Sequence, residues 1–539
     1  MGAARVIGVV GAGTMGSGIA QLGALAGART LVHDPVETAL ERGLAAARGH
    51  MARGAERGRW SAADAGRGQE LLEAAPDLED LRDCELVIEA APESLPLKAE
   101  LYGRLSEIVS EDCVLATNTS SLLVTAVAAG ATHPERVVGM HFFNPAPLMR
   151  LLEVVAGAQS GEVALARARA TGEAMGKQVI LAADGPGFLV NRCNRAFGLE
   201  ALRLLQERVA PLERIDRIVR MGGGFRMGPF ELMDLVGVDV GLEIARSFWE
   251  QSFGEPRWRP SPLAARMVAA GRTGRKAGRG YYEYGDGEHR EDDPEPPRPG
   301  GGAGRLLVVA GEAVLAEELR DLAAAAGWDA RDPIHTEGEV PAFILDCGAD
   351  PGGVPLQGGP RAVLCAEGSL AALDPGGAAV GFHALPPLAE SDLVELTRGP
   401  GSSRTAIAGA EELFATLGKH VEWVGDAPGL VLGRIVSQVV NEAAFAVAEG
   451  VGSAEDVDTG MRLGLNYPRG PLAWADRIGL DHVLSILDAL SDELREERYR
   501  AAPLLRQLVL GGRLGASTGE GFLTLGCWRP PNDRLASNG

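Results

Sequence analysis

No Cys-x-x-Cys pair occurs in this chain. Its six cysteines, Cys84, Cys113, Cys193, Cys347, Cys365 and Cys527, are widely spaced, which argues against a zinc ribbon or a disulfide framework and fits reduced thiols in a cytosol. Positive charge is scarce: 52 Lys+Arg stand against 73 Asp+Glu, a net charge of -21. General binding to nucleic acid or to an anionic membrane is therefore not expected, and an anionic ligand must be met by local charge. The basic residues are nearly all arginine, the lysines being Lys98, Lys177, Lys276 and Lys419. No apolar run is long enough to span a membrane. The run Arg5–Val10 enters a glycine-rich turn without the charged, apolar and cleavage regions of a signal peptide. A cytoplasmic, metal-free protein is expected, and 539 residues suffice for three or four cores of ordinary size.

The polar, proline- and glycine-rich stretch 285–304 reads as an interdomain linker. On its two sides the chain repeats itself. Gly139-Met140-His141 is echoed by Gly381-Phe382-His383, and Leu151-Leu152-Glu153 by Leu393-Val394-Glu395, each acid twelve residues after its histidine. Gly176-Lys177 through Asp184-Gly185-Pro186-Gly187 is matched by Gly418-Lys419 through Asp426-Ala427-Pro428-Gly429, and His141 to Asn191 spans 50 residues, as does His383 to Gly433. Equal spacings of this kind indicate duplication. In the first half, strands are expected at Arg5–Val10, Thr30–His33, Leu86–Glu89, Val114–Thr117 and Val137–Met140, with helices such as Met15–Ala26 between them. That alternation predicts an α/β Rossmann-type, doubly wound parallel sheet. Helical periodicity over Phe188–Arg208 and Leu212–Met221 predicts an all-α bundle after it. The expected domains are 1–184 (dinucleotide-binding), 185–284 (helical), the linker 285–304, 305–425 (a degenerate Rossmann-like copy) and 426–526 (a second helical domain).

Gly11-Ala12-Gly13-Thr14-Met15-Gly16 follows a strand and opens a helix, the context a dinucleotide fingerprint requires. Gly11 makes the tight turn, Gly13 lets a pyrophosphate approach the backbone, and Gly16 lets helix and strand pack closely. Asp34 ends the second strand, where its carboxylate can accept ribose hydroxyls and repel a 2'-phosphate, so NAD is preferred over NADP. The corresponding stretch Arg305–Val314 has lost the glycines and carries Glu312 where phosphate would sit. No dinucleotide is expected there.

His141, with Glu153 downstream of such a fingerprint, suggests a dehydrogenase. The imidazole takes the proton of a substrate hydroxyl as its hydride leaves, while the carboxylate fixes the tautomer and stabilises the imidazolium. These residues, together with Val87-Ile88-Glu89-Ala90, Thr117-Asn118-Thr119-Ser120-Ser121, His141-Phe142-Phe143-Asn144-Pro145, Asn191-Arg192 and the run Gly274–Tyr281, resemble the L-3-hydroxyacyl-CoA dehydrogenase family. The duplicated C-terminal half looks like its longer bacterial form, often associated with phenylacetate breakdown and 3-hydroxyadipyl-CoA. The resemblance implies oxidation of a (3S)-3-hydroxyacyl-CoA by NAD, 3-hydroxybutyryl-CoA being another candidate substrate. His141 would be the acid/base and Glu153 its partner, with Ser120 and Asn191 on the reacting oxygen. Gly11, Gly13, Thr14, Met15, Gly16, Asp34, Glu93, Lys98, Asn118, Ser120, Asn144 and Lys276 would line the cofactor, Lys98 being shared with the CoA end. Where the family grips the CoA 3'-phosphate, this chain has Arg48, Arg53, Arg57 and Arg59, with His50 nearby.

The second half keeps His383 and Glu395 but has Pro386 for Asn144 and Gly433 for Asn191. In the family the helical domains pair across a dimer, so the second copy can supply that partner within one chain as a pseudo-dimer; a homodimer is the other possibility. Two other readings stay open: a dehydrogenase of 3-hydroxy acids or sugar acids that needs no CoA, and a non-catalytic NAD-binding sensor.

Overall fold

The computed structural model describes residues 2–285, 289–336, 338–348 and 358–524. Cys527 and linker positions 286–288 lie outside them. In the first half, strands β1 (Val6–Val10), β2 (Arg29–His33), β3 (Leu72–Ala74), β4 (Leu86–Glu89), β5 (Val114–Thr117), β6 (Val137–Phe142), β7 (Leu151–Ala156) and β8 (Gln178–Ala183) form one sheet. Its order is β3-β2-β1-β4-β5-β6-β7-β8. Helices α1 (Thr14–Leu25), α2 (Glu37–Glu56), α3 (Ala62–Leu71), α4 (Leu95–Ile108), α5 (Val124–Ala128) and α6 (Glu162–Ala174) connect them. α7 (Val190–Gln206), α8 (Leu212–Gly223), α9 (Pro229–Val236), α10 (Val238–Gln251) and α11 (Pro262–Ala269) follow.

The five expected strands are present, with β3, β7 and β8 in addition. The sheet also departs from the all-parallel expectation at one place, because β6 and β7 pair antiparallel. Parallel neighbours need a crossover of a dozen or more residues, whereas only Phe143–Arg150 separates these strands, so the chain turns straight back. β6 also runs two residues past the expected Met140, carrying His141 inside the strand.

The second half repeats the plan. β9 (Leu306–Ala310), β10 (Asp329–Arg331), β11 (Phe343–Asp346), β12 (Arg361–Leu364), β13 (Val380–His383), β14 (Leu393–Arg398) and β15 (His420–Trp423) form a sheet of order β10-β9-β11-β12-β13-β14-β15. Its helices are α12 (Val314–Ala325), α13 (Leu370–Leu373), α14 (Arg404–Thr416), α15 (Leu432–Ala448), α16 (Ala454–Leu465), α17 (Pro471–Ile478), α18 (Leu480–Leu494) and α19 (Pro503–Leu510).

The chain divides into two compact units, residues 1–192 with 450–465 and residues 193–449 with 466–539. The first is built on the β1–β8 sheet and includes α16 from the second half. A Cβ on Gly460 would press on Val190 and Ile180, and one on Gly464 on Leu151 and Phe143, so glycines on α16 permit close contact with the strands it covers. Within the second unit the converse holds. α8, from the first half, packs on β14, and the Asp392 N–H donates to the Met221 carbonyl.

α15 is buried from Leu432 through Val447, which an all-round apolar helix requires. It nevertheless carries Arg434, which binds Glu200, Glu207 (2.7 Å) and the Tyr499 hydroxyl (2.7 Å). Arg498 reaches the same Glu200 at 3.3 Å. The linker is held as well: Arg220 grips Asp293 through Nε (2.8 Å) and a terminal nitrogen (2.6 Å), while Arg290 pairs with Glu231 at 2.7 Å.

Breaking a buried pair strands the remaining charge, at about 3–5 kcal/mol. Arg434→Leu should therefore lower the calorimetric transition of the second unit by several degrees, and adding Glu200→Leu together with Arg498→Leu, which removes the whole buried group, should recover much of it. An unchanged transition in the single variant would show that the network contributes nothing.

Candidate active site

Each fingerprint glycine answers a distinct constraint. Gly11 sits at φ +101°, and a Cβ there would meet the Ala90 carbonyl oxygen at 2.6 Å. At Gly16 a Cβ would fall 1.7 Å from the Gly11 oxygen, so only glycine allows this strand-to-helix approach. Around Gly13 a Cβ would meet no protein atom within 4 Å, and no side chain caps α1. The helix thus offers bare backbone N–H groups to open space beside exposed Thr14 and half-buried Met15, a cradle that fits a pyrophosphate. Asp34 accepts the Ala12 N–H (2.9 Å) on one oxygen and the Val36 N–H (3.0 Å) on the other. A carboxylate retains lone pairs for further hydroxyls beyond these.

Beside the cradle, Glu93 gathers the turn after β5. It accepts from the Thr119 hydroxyl (2.6 Å), the Ser121 hydroxyl (2.8 Å) and the Ser120 and Ser121 N–H groups (3.1 Å each). Burial opposes its ionisation, but the Thr119 bond and the Lys98 charge outweigh that and hold the carboxyl below its usual range. Lys98 itself is 1% exposed and sits 2.7 Å from Glu89 and 3.3 Å from Glu93. Its charge is paired inside the fold, where it also positions Glu93. Glu89 is fully buried and also accepts from the Thr117 hydroxyl at 2.8 Å. Sequence reasoning missed it as a functional support. The available signal was an acid closing a buried strand nine residues before one of the few lysines.

His141 and Glu153 are direct partners across the antiparallel β6–β7 pair. The His141 Nδ1 lies 2.6 Å from Glu153 Oε2. The second carboxylate oxygen accepts the N–H groups of Leu189 (3.2 Å) and Val190 (3.0 Å) at the start of α7, where the helix N-terminus favours negative charge. An ionised Glu153 accepts only, so Nδ1 carries the proton and Nε2 is left with the lone pair that can take one. The ring is packed by Phe143 at 4.6 Å and Phe188 at 5.7 Å between centroids.

The remaining expected residues are placed variously. Asn118 accepts the Phe142 N–H through Oδ1 at 2.9 Å, tying β5 to the histidine strand. Ser120 and Asn144 are exposed and Asn191 half-buried. Lys276 belongs to the other unit, where its Nζ pairs with Asp239 at 2.7 Å. Among the described residues no group of three His, Cys, Asp or Glu could hold a metal ion.

In the second half the register His383↔Glu395 survives, but the chemistry does not. His383 points Nε2 at His482 Nε2, 3.2 Å away, and its Nδ1 has no partner. Glu395 is occupied by the Val431 and Leu432 N–H groups, and burial pushes its carboxyl up to about 8. A Cβ on Gly433 would fall 2.2 Å from the His383 ring. His383 therefore occupies the space that any side chain at 433 would need.

His141→Gln and Glu153→Gln should each lower kcat by about 10²–10⁴-fold while calorimetric NAD affinity holds. His383→Gln should leave kcat unchanged. Equal losses at both histidines would refute this assignment of the working site.

The model for "3-hydroxyacyl-CoA dehydrogenase, NAD binding domain" matches residues 6–185, and that for the C-terminal domain matches twice, at 187–284 and 429–525. Across 94% of this chain and 98% of the relative, the sequence is 35% identical to 3-hydroxyadipyl-CoA dehydrogenase of Escherichia coli. It is 41% identical to 3-hydroxybutyryl-CoA dehydrogenase of Mycobacterium tuberculosis, over 52% of this chain and 98% of that one. A solved structure of 3-hydroxybutyryl-CoA dehydrogenase from Escherichia coli superimposes with a TM-score of 0.79 at 32% identity, covering 94% of this chain and 98% of that one. The chain is an NAD-dependent dehydrogenase and belongs to the 3-hydroxyacyl-CoA dehydrogenase family, as a long form with a duplicated C-terminal domain.

Proposed function

We propose that His141 is the acid/base that oxidises the 3-hydroxyl of a (3S)-3-hydroxyacyl-CoA to the 3-oxo thioester. The hydrogen bond between His141 and Glu153 beside the glycine cradle carries this reading. NAD, when bound, supplies the hydride acceptor. The Nε2 lone pair takes the hydroxyl proton, and the Glu153 charge favours the imidazolium that results. Ser120 and Asn191 hold the reacting oxygen without competing for its proton. Gly11, Gly13, Gly16, Asp34 and the Glu93 turn hold the dinucleotide.

The CoA end fits a cavity of about 310 Å³ bounded by α1, the α2–α3 hairpin and the turn after β6, with His50, Arg53, Arg57, Arg59 and Trp60 among its lining. Arginine grips phosphate in paired contacts. Arg48 is engaged elsewhere, donating to the Leu72 carbonyl at 2.8 Å. Acyl chains related to 3-hydroxyadipyl and 3-hydroxybutyryl thioesters, named for the relatives, are the substrates to test. If the cavity holds the phosphorylated end, Arg53→Ala and Arg57→Ala will each raise KM for a CoA thioester by about tenfold. KM for the pantetheine thioester should stay put. Equal effects on both, or turnover of the free hydroxy acid at the same rate, would refute CoA binding there.

The reciprocal cover, α8 on β14 in one unit and α16 on β7 and β8 in the other, is what a two-fold dimer provides between separate subunits. The second half accordingly serves as an internal partner. Deletion of residues 301–539 should uncover apolar surface at Val190, Ile180 and Leu151 and produce self-association or lower stability by light scattering and calorimetry. A monomeric, equally stable and fully active fragment would contradict this.

A further inference from the structure

The turn between β6 and β7 is held from two sides. On one, α1 lies so close that a Cβ on Gly18 would meet the Pro147 ring at 2.9 Å. On the other, Lys177, in the link from α6 to β8, donates its ammonium to the carbonyls of Ala146 (2.5 Å) and Met149 (2.6 Å). The residue is 7% exposed. Its surroundings bring no compensating acid. α1 and β8 carry no charged side chain, Glu153 of β7 is committed to His141, Glu173 of α6 pairs with Arg169 at 2.9 Å, and Arg150 at the end of the turn is exposed. Burial accordingly pushes the Lys177 ammonium down to about 8. The same turn gives Pro145, Pro147 and Leu148 to the cavity beside α1, so the lysine supports that wall from behind.

The duplication separates what is general in this arrangement from what is particular. At the offset that matches His141 to His383, Lys177 matches Lys419, Ala146 matches Leu388 and Met149 matches Ser391. The Lys419 ammonium donates to those same two carbonyls, at 2.6 Å each. A lysine bridging the turn is thus kept in both halves, but its neighbours differ. Asp392 and Glu318 both support the Lys419 charge, and Glu318 also accepts the Leu388 N–H at 2.7 Å. In the first half Arg150 stands where Asp392 would be. α1 and α12 each begin three residues after a positive-φ glycine, Gly11 or Gly311, which matches Gly18 to Glu318. Where the second half has an acid, the first has a glycine that lines the cavity, and no carboxylate steadies the lysine.

We propose that Lys177 is a positioning residue for the cavity: its ammonium fixes the β6–β7 turn as one wall, and ligand affinity there falls when the lysine loses its proton. The inference rests on the reading that this cavity takes the phosphorylated end of a CoA thioester. A charged donor makes hydrogen bonds roughly twice as strong as a neutral one, so the neutral amine holds the two carbonyls less firmly. Stability carries the opposite sign. Burial sets the folded value below that of an unfolded lysine, so between the two the unfolded chain binds more protons and this group's contribution to stability rises with pH. Weaker binding in alkali is therefore separable from unfolding.

The test measures KM and kcat for 3-hydroxybutyryl-CoA between about pH 6.5 and 9.5 in the parent, Lys177→Arg and Lys177→Met proteins. The calorimetric transition is followed alongside, with hydrogen exchange at the Leu148 and Met149 amides, which both donate to the Pro145 carbonyl. In the parent KM should rise by about tenfold as the lysine deprotonates, with no fall in the transition. Lys177→Arg, whose guanidinium keeps its proton throughout, should remove the alkaline rise. Lys177→Met should show the raised KM at every pH, with kcat changed far less and faster exchange at the turn. A flat KM in the parent, the same alkaline rise in the arginine variant, or a methionine variant that loses stability with KM unchanged would overturn the proposal. A parent that turns over no CoA thioester, while exchange at the turn still depends on Lys177, would instead overturn the acyl-CoA reading.

Discussion

One hydrogen bond organises the first half of this protein: His141 Nδ1 to Glu153, 2.6 Å long and almost wholly shielded from water. It exists because β6 and β7 are antiparallel neighbours in an otherwise parallel run of strands, which sets the two residues directly opposite. The N-terminus of α7 then satisfies the far oxygen of the carboxylate. Sheet register, helix terminus and the His141–Glu153 pair are thus one arrangement. A shift of one residue in the β6–β7 register would turn the histidine to the other face of the sheet.

The second half shows what becomes of the same arrangement when its surroundings change. Register and spacing persist, yet the glycine at 433 leaves a space that His383 fills, and the carboxylate of Glu395 is left with backbone donors alone. The helices have kept their structural duties. Arg434 and Glu200 join the two halves of the chain inside one unit, and α16 lies against strands of the other half.

Much of the site was legible before any coordinates. The fingerprint glycines, Asp34, the pairing of His141 with Glu153 and the duplication itself rest on local geometry and fixed spacing, which survive in a linear string. The three unexpected strands did not show for a physical reason: β3 is three residues long, and β7 and β8 are largely apolar runs whose periodicity does not separate strand from helix. Lys98 was legible as unusual but not as buried, since its depth depends on Glu89 closing β4 from beneath.

Spacing along the chain determined the glycine cradle, the pairing of His141 with Glu153 and the existence of a second copy, because each depends on residues that one turn or one strand pair brings together. Tertiary structure decided which of the two histidines meets its carboxylate, and where Lys98 and Lys276 spend their charge. Those outcomes turn on burial and on which distant side chain fills a given space, quantities that packing sets and that no local pattern carries.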